Sequence, residues 1–172
     1  MRKYTIIASV TLLFMCFSVY QFILAEGQPN SKEDMMIKKA IVGTWQLVSR
    51  ELPDGTVLNT PQISGLMIYT GKYACTNTID IVGAEKKLHA YSMSMTYEIS
   101  GSKMRGKVLL NAGVTQGSEG KYDTQPTDFE VEMLVEGSKI SFKPFPWSEQ
   151  VIEGDTWTQT SKNFKDTWKK VE

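Results

Sequence analysis

Cysteine and histidine are scarce in this 172-residue chain, which has two of the first and one of the second. Cys16, Cys75 and His89 cannot fill a tetrahedral site of Cys and His, which excludes a structural zinc fold. Charge of one sign is never in excess either. Nineteen basic residues face nineteen acidic ones, so no surplus exists to neutralise a phosphate backbone, and nucleic acid is not an expected partner. Internal repeats, low-complexity tracts and long amphipathic helices are missing as well. What remains is 41% hydrophobic and 22% charged, the balance of one globular domain with a short appendage.

Chemistry-bearing motifs are equally thin. His89 sits between Leu88 and Ala90, with no nucleophile motif around it. The run Gly113, Gly117, Gly120, Lys121 is wrongly spaced for a phosphate loop, and Tyr122 stands where Ser or Thr would hold magnesium. Cys75 has no cationic neighbour within two positions to lower its pKa and reads as a buried, inert thiol. Glu130, Glu132 and Glu136 read as the solvated side of a strand. No catalytic residue, metal site or cofactor is expected.

The N-terminus is a different material. Arg2 and Lys3 precede an apolar stretch from Tyr4 to Ala25, a pattern read by the secretion machinery, with Ala25 as a small residue at the cut. Residues 1–25 are expected to be a signal peptide. Being roughly 20 residues long, the run would also span a bilayer as an uncleaved signal anchor. The product would be periplasmic or secreted in the first case and held to the membrane in the second. Positions 13 to 15, Leu-Phe-Met, lack the small residues that acylation at Cys16 would need. Without Arg2 and Lys3 the nineteen basic residues become seventeen, so the mature domain is mildly acidic. It keeps only Cys75, cannot form an internal disulfide, and must rest on a hydrophobic core.

Residues 26–42 read as a linker and a short helix, with Ser31 and Asp34 as a start signal ahead of Met35, Met36, Ile37, Ala40 and Ile41. Residues 43–172 then change to period-two runs broken by turn residues at Pro53-Asp54-Gly55, Thr70-Gly71-Lys72, Ser100-Gly101-Ser102 and Glu136-Gly137-Ser138. The clearest run puts Phe129, Val131, Met133 and Val135 on one face and Glu130, Glu132 and Glu136 on the other. It turns at Gly137 into Ile140 and Phe142, an antiparallel hairpin with one wet side. About nine such runs predict an all-β antiparallel barrel or sandwich, and closure into a barrel removes the exposed edges.

Two segments stand out from this background. Between Leu88 and Glu98, one face presents His89, Tyr91, Met93, Met95 and Tyr97, a wide polarizable stripe suited either to a core or to a pocket for an apolar ligand. Asn111 to Pro126 is polar and glycine-rich, longer than a hairpin requires, and reads as a lid or a disordered loop.

The segment Ile41-Val42-Gly43-Thr44-Trp45-Gln46-Leu47-Val48-Ser49, then Asp54-Gly55 and Gly65-Leu66-Met67-Ile68-Tyr69-Thr70 with Tyr73, resembles the opening of the bacterial lipocalin-like domain family, a calycin-type barrel. Thr96-Tyr97-Glu98-Ile99-Ser100-Gly101, Glu136-Gly137-Ser138-Lys139-Ile140 and Thr167-Trp168-Lys169-Lys170-Val171 extend the likeness, so that it covers about residues 40 to 172. The resemblance implies an eight-stranded up-and-down barrel with a pocket for a small apolar molecule, which with the nine runs above gives an expected eight- to nine-stranded barrel. It also implies that Trp45 closes the barrel floor with a basic residue of the last strand packed on its ring; Trp168 is the other residue expected against it. Here the basic residue is Lys169 or Lys170 in place of the usual arginine, and lysine stacks less well. The family's histidine-bearing strand is replaced by Met104-Arg105-Gly106-Lys107-Val108, so an activity depending on those histidines is not carried over.

The resulting expectation is an exported, non-enzymatic, lipocalin-like protein that binds a small hydrophobic molecule, with Tyr91, Met93, Met95 and Tyr97 in contact with it. Two alternatives stand beside it. One is a barrel isomerase or cyclase with Tyr97 or His89 as its acid. The other is an envelope interaction or inhibitor protein with a filled barrel, using Pro144-Phe145-Pro146-Trp147.

Overall fold

The computed structural model describes residues 32–82 and 86–171. The apolar leader 1–25 and most of the linker that follows lie outside the described residues. The expected short helix is present as α1 (Lys32–Ile41), with Glu33 and Asp34 in its first turn and Lys38 and Lys39 in its last, a distribution that complements the helix dipole. Its inward residues Ile37 and Ile41 are fully buried.

Twelve antiparallel strands follow: β1 (Gly43–Glu51), β2 (Val57–Asn59), β3 (Ile63–Tyr69), β4 (Tyr73–Val82), β5 (Lys87–Ser100), β6 (Lys103–Thr115), β7 (Lys121–Asp123), β8 (Thr127–Glu136), β9 (Lys139–Phe145), β10 (Ser148–Glu153), β11 (Thr156–Ser161) and β12 (Lys165–Val171). They form one sheet that closes on itself where β12 pairs with β1. The short β2 and β7 lie off the ring, β2 against the end of β1 and β7 against β6, which leaves ten strands in the barrel.

The expected eight or nine strands are therefore too few, and β10 is the one missed inside the barrel. Its inward positions are Ser148, Gln150 and Ile152, so two of the three carry polar side chains and the apolar alternation that marks a strand is lost. These groups are satisfied internally. Trp157 Nε1 donates to Gln150 Oε1 at 2.6 Å, and Gln150 Nε2 donates to Ser148 Oγ at 3.0 Å. The expected loop at Asn111–Pro126 is also corrected. β6 runs on to Thr115 and turns, and β7 folds back with Ala112 opposite Tyr122 and Gly113 opposite Lys121. Glycine and polar side chains here meet the needs of a wet hairpin rather than a structureless lid.

One end of the barrel is plugged. Trp45 is fully buried, its Nε1 donates to the Ile41 carbonyl at 3.0 Å, and its ring meets Trp157 edge-on at 5.3 Å between centroids. Lys170 lies over the Trp45 ring at 5.1 Å, the last-strand cation that the resemblance implies, while Trp157 rather than Trp168 supplies the aromatic contact. The same ammonium donates to the carbonyls of Lys39 and Ala40 at 3.1 and 3.2 Å, so one cation ties the helix end to the barrel floor. Burial, aided by the charge of Lys39, holds the Lys170 ammonium below its ordinary pKa. Gly43 makes this possible, because a Cβ there would lie 2.5 Å from Lys170 Cε, and its φ of 144° suits only glycine.

β8 changes neighbours along its length. Thr127–Glu132 pair with β6, and Met133–Glu136 pair with β9. The outward Glu130 carboxylate takes ion pairs from Lys103 at 3.0 Å and Arg105 at 3.4 Å, as a solvated strand face should. Cys75, expected to be buried, is instead half-buried and unpaired, because the inward positions on β4 belong to Ala74 and Thr76.

Candidate functional site

Above the plugged floor the barrel is hollow. A cavity of about 550 Å³ lies inside it, within the usual range for small-molecule pockets. Its wall is mostly apolar and aromatic. Tyr91, Met93 and Met95 of β5 all line it, so the expected inward stripe brings three of its four ligand candidates to one surface, with His89 as a fourth wall residue. Tyr97 is not among the lining residues. It is 5% exposed, packs edge-on against Tyr69 at 5.6 Å, and donates its hydroxyl to the Thr70 carbonyl, so it belongs to the floor packing.

Burial raises the pKa of the Tyr69, Tyr91 and Tyr97 phenols, that of Tyr97 to about 12. A phenol held neutral in the fold and ionised near pH 10 when unfolded makes stability fall as pH rises between those values. Below pH 10 its contribution is fully retained. Urea titrations at pH 9 and 11 should show wild type losing stability as pH rises, with the Tyr97 phenol's share about 1.4 kcal/mol. Tyr97→Phe should lose one share fewer, and an equal loss in both proteins would contradict burial of that hydroxyl.

The polar part of the wall is concentrated. Arg50 of β1 donates from Nε to Asp166 Oδ1 at 2.6 Å and from Nη2 to Asp166 Oδ2 at 2.7 Å, a bidentate pair. Its Nη1 donates to Asp80 Oδ2, and its guanidinium lies 4.4 Å over the Phe164 ring. Asp80 Oδ1 in turn meets His89 Nδ1 at 3.0 Å. Asp80 and Asp166 are 3% and 1% exposed, and Arg50 is 9% exposed. Burial works against the Arg50 charge, but the hydrogen bonds and charges of Asp166 and Asp80 outweigh it and keep the guanidinium pKa raised. Burial also pushes the Asp166 carboxyl up, against the pull of Arg50 and with the help of the Asp80 charge.

Sequence comparison adds no relative to this picture. No family model, curated protein or solved structure matches the chain. The site must be read from its own residues.

The sequence reading missed this cluster because its members lie far apart along the chain, Arg50 being 30 positions from Asp80 and 116 from Asp166. It also lacked the carboxylate that orients His89, which is Asp80 across the β4–β5 pair. Among the described residues, no group of three or more His, Cys, Asp or Glu is placed to hold a metal ion. Near the mouth, Phe145 and Trp147 stack with centroids 5.1 Å apart and planes 4° off parallel, and both line the cavity. Pro144 also lines it, so this part of the expected docking segment faces the interior.

Proposed function

We propose that this protein is a binding protein for a small, mainly apolar molecule held inside the barrel, with Tyr91, Met93 and Met95 among its contacts. The observation that carries this reading is the cavity of about 550 Å³ with its wall of methionines and aromatics. Thioethers adapt to irregular apolar shapes, and tyrosine adds a hydrogen-bonding tip. Ten strands make a wider ring than eight, and barrel diameter grows with strand number, so side chains from opposite walls need not meet.

Kinship with the lipocalin-like domain proteins belongs to the same proposal. It is supported by the closed antiparallel barrel, by Gly43-Thr44-Trp45 at the first strand after a short helix, and by Lys170 over the Trp45 ring. Export is proposed from Arg2, Lys3 and the apolar run to Ala25, and fits a carrier that meets its ligand outside the cytoplasm.

The test uses the uncharged fluorescent dye N-phenyl-1-naphthylamine. Wild type should bind it one to one, and Met95→Glu should abolish binding while keeping the β-rich circular dichroism spectrum. A carboxylate in that apolar wall costs several kcal/mol or must take up a proton. Dye binding unchanged in Met95→Glu would overturn the assignment of this wall.

A further inference from the structure

The charged groups of the cavity wall do not balance. One guanidinium, Arg50, faces two carboxylates, Asp80 and Asp166, so these three groups carry a formal charge of minus one. Three of the five Arg50 N–H groups are already given to these carboxylates. A guanidinium recognises a carboxylate through its fork of parallel N–H groups, and here Asp166 fills the Nε–Nη2 fork while Asp80 takes Nη1. A ligand carboxylate would enter an apolar pocket beside two carboxylates, with the Nε–Nη2 fork of Arg50 already taken, an arrangement that selects against acids.

The same cluster exposes an acceptor. With Nδ1 held by Asp80, the ring nitrogen of His89 left for a ligand is Nε2, an acceptor in the neutral tautomer whose Nδ1 proton goes to that carboxylate. Gly113 of β6 lies beside this ring, where a Cβ would come into van der Waals contact with Nε2 at 3.7 Å. The stacked Phe145 and Trp147 lining the mouth add π-faces of the kind that attract cations and leave anions unassisted.

We propose that the ligand is a cationic amphiphile: an apolar body in the methionine-lined cavity, with a protonated amine donating to His89 Nε2 in the field of Asp80 and Asp166. This rests on the ligand-cavity reading above and narrows it to one head-group chemistry. Asp80 has two roles here, since it orients the imidazole and supplies part of the charge.

The experiment is competition for the bound dye at pH 7.5 by three twelve-carbon compounds below their micelle concentrations: dodecylammonium, dodecanol and dodecanoate. The amine should displace the dye at a concentration at least tenfold below the alcohol, and dodecanoate should be the weakest of the three. In Asp80→Asn the amine and the alcohol should come within threefold of each other, with an unchanged circular dichroism spectrum. Should that variant fail to fold, the order of the three ligands on wild type decides alone. Dodecanoate binding as tightly as the amine, or amine and alcohol binding equally to wild type, overturns the head-group inference and leaves the cavity reading standing. A wild type that binds neither the dye nor any of the three compounds overturns both.

Discussion

Replacing Arg50 by methionine should destabilise the barrel by about 3 to 5 kcal/mol at pH 7, the range for removing one partner of a buried ion pair. The substitution fills much of the same volume and leaves Asp80 and Asp166, 3% and 1% exposed, without their shared cation. Without the guanidinium, burial acts unopposed on the Asp166 carboxyl, and its folded pKa, already raised in wild type, rises further above the unfolded value of about 3.9. A carboxyl raised in this way favours the fold fully below its unfolded pKa and loses that contribution as pH rises through the folded one. The deficit relative to wild type should therefore be smaller at pH 4 than at pH 7. Urea titrations at the two pH values read this directly. A deficit under about 1 kcal/mol at pH 7, or one that grows on acidification, would contradict the pairing. Adding Asp166→Asn to the variant should recover part of the loss.

Trp45→Ala should cost a comparable amount, about 3 to 5 kcal/mol, as for other fully buried large aromatics. Three contacts are lost together: the hydrogen bond to Ile41, the edge-on packing against Trp157 and the seat under Lys170. Because the first joins the helix to the barrel and the third seats the lysine that holds the helix end, α1 should detach before the barrel melts, visible as faster amide exchange at Ile37 and Ile41 in native buffer. A loss below about 1 kcal/mol would place Trp45 outside the core and undo the likeness at its most specific motif.

Alternation explains how much of this could be read from the chain. β8 shows an apolar inner face and a charged outer one, and its burial follows the sequence pattern closely. β5 could be assigned the same way, which is how three cavity residues were found. β4 inverts the rule. Its inward positions include Thr76, Thr78 and Asp80, all buried, while Ile79 points out and is 51% exposed. A polar residue on the inner face makes sense only beside its partners, and those lie on other strands. Arg50 was hidden by a different device. β1 buries Trp45 and Leu47, so strict alternation would send position 50 outward, but the register slips between Leu47 and Ser49 opposite β12 and turns Arg50 in. A one-residue bulge leaves no mark in composition or hydropathy, yet it supplies the only cation of the cavity wall among the described residues.

The change of neighbours along β8 has a further consequence, for the behaviour of the protein in a crowd. From Thr127 to Glu132 the strand is zipped to β6, while β9 takes over only from Met133, so the mouth half of the wall has a seam with two strand edges facing it. Unpaired edges are templates on which a second chain can add a strand and begin a fibre. Both edges of this seam are blunted. β9 presents Lys143 and Pro144, with Pro146 just beyond its end, and proline has no N–H to offer an incoming strand. β8 carries Asp128, Glu130 and Glu132 beside the other edge, the first two ion-paired with Lys107, Lys103 and Arg105 of β6, so a charged row flanks the open backbone. The barrel can keep a gap in its wall without becoming a seed for aggregation.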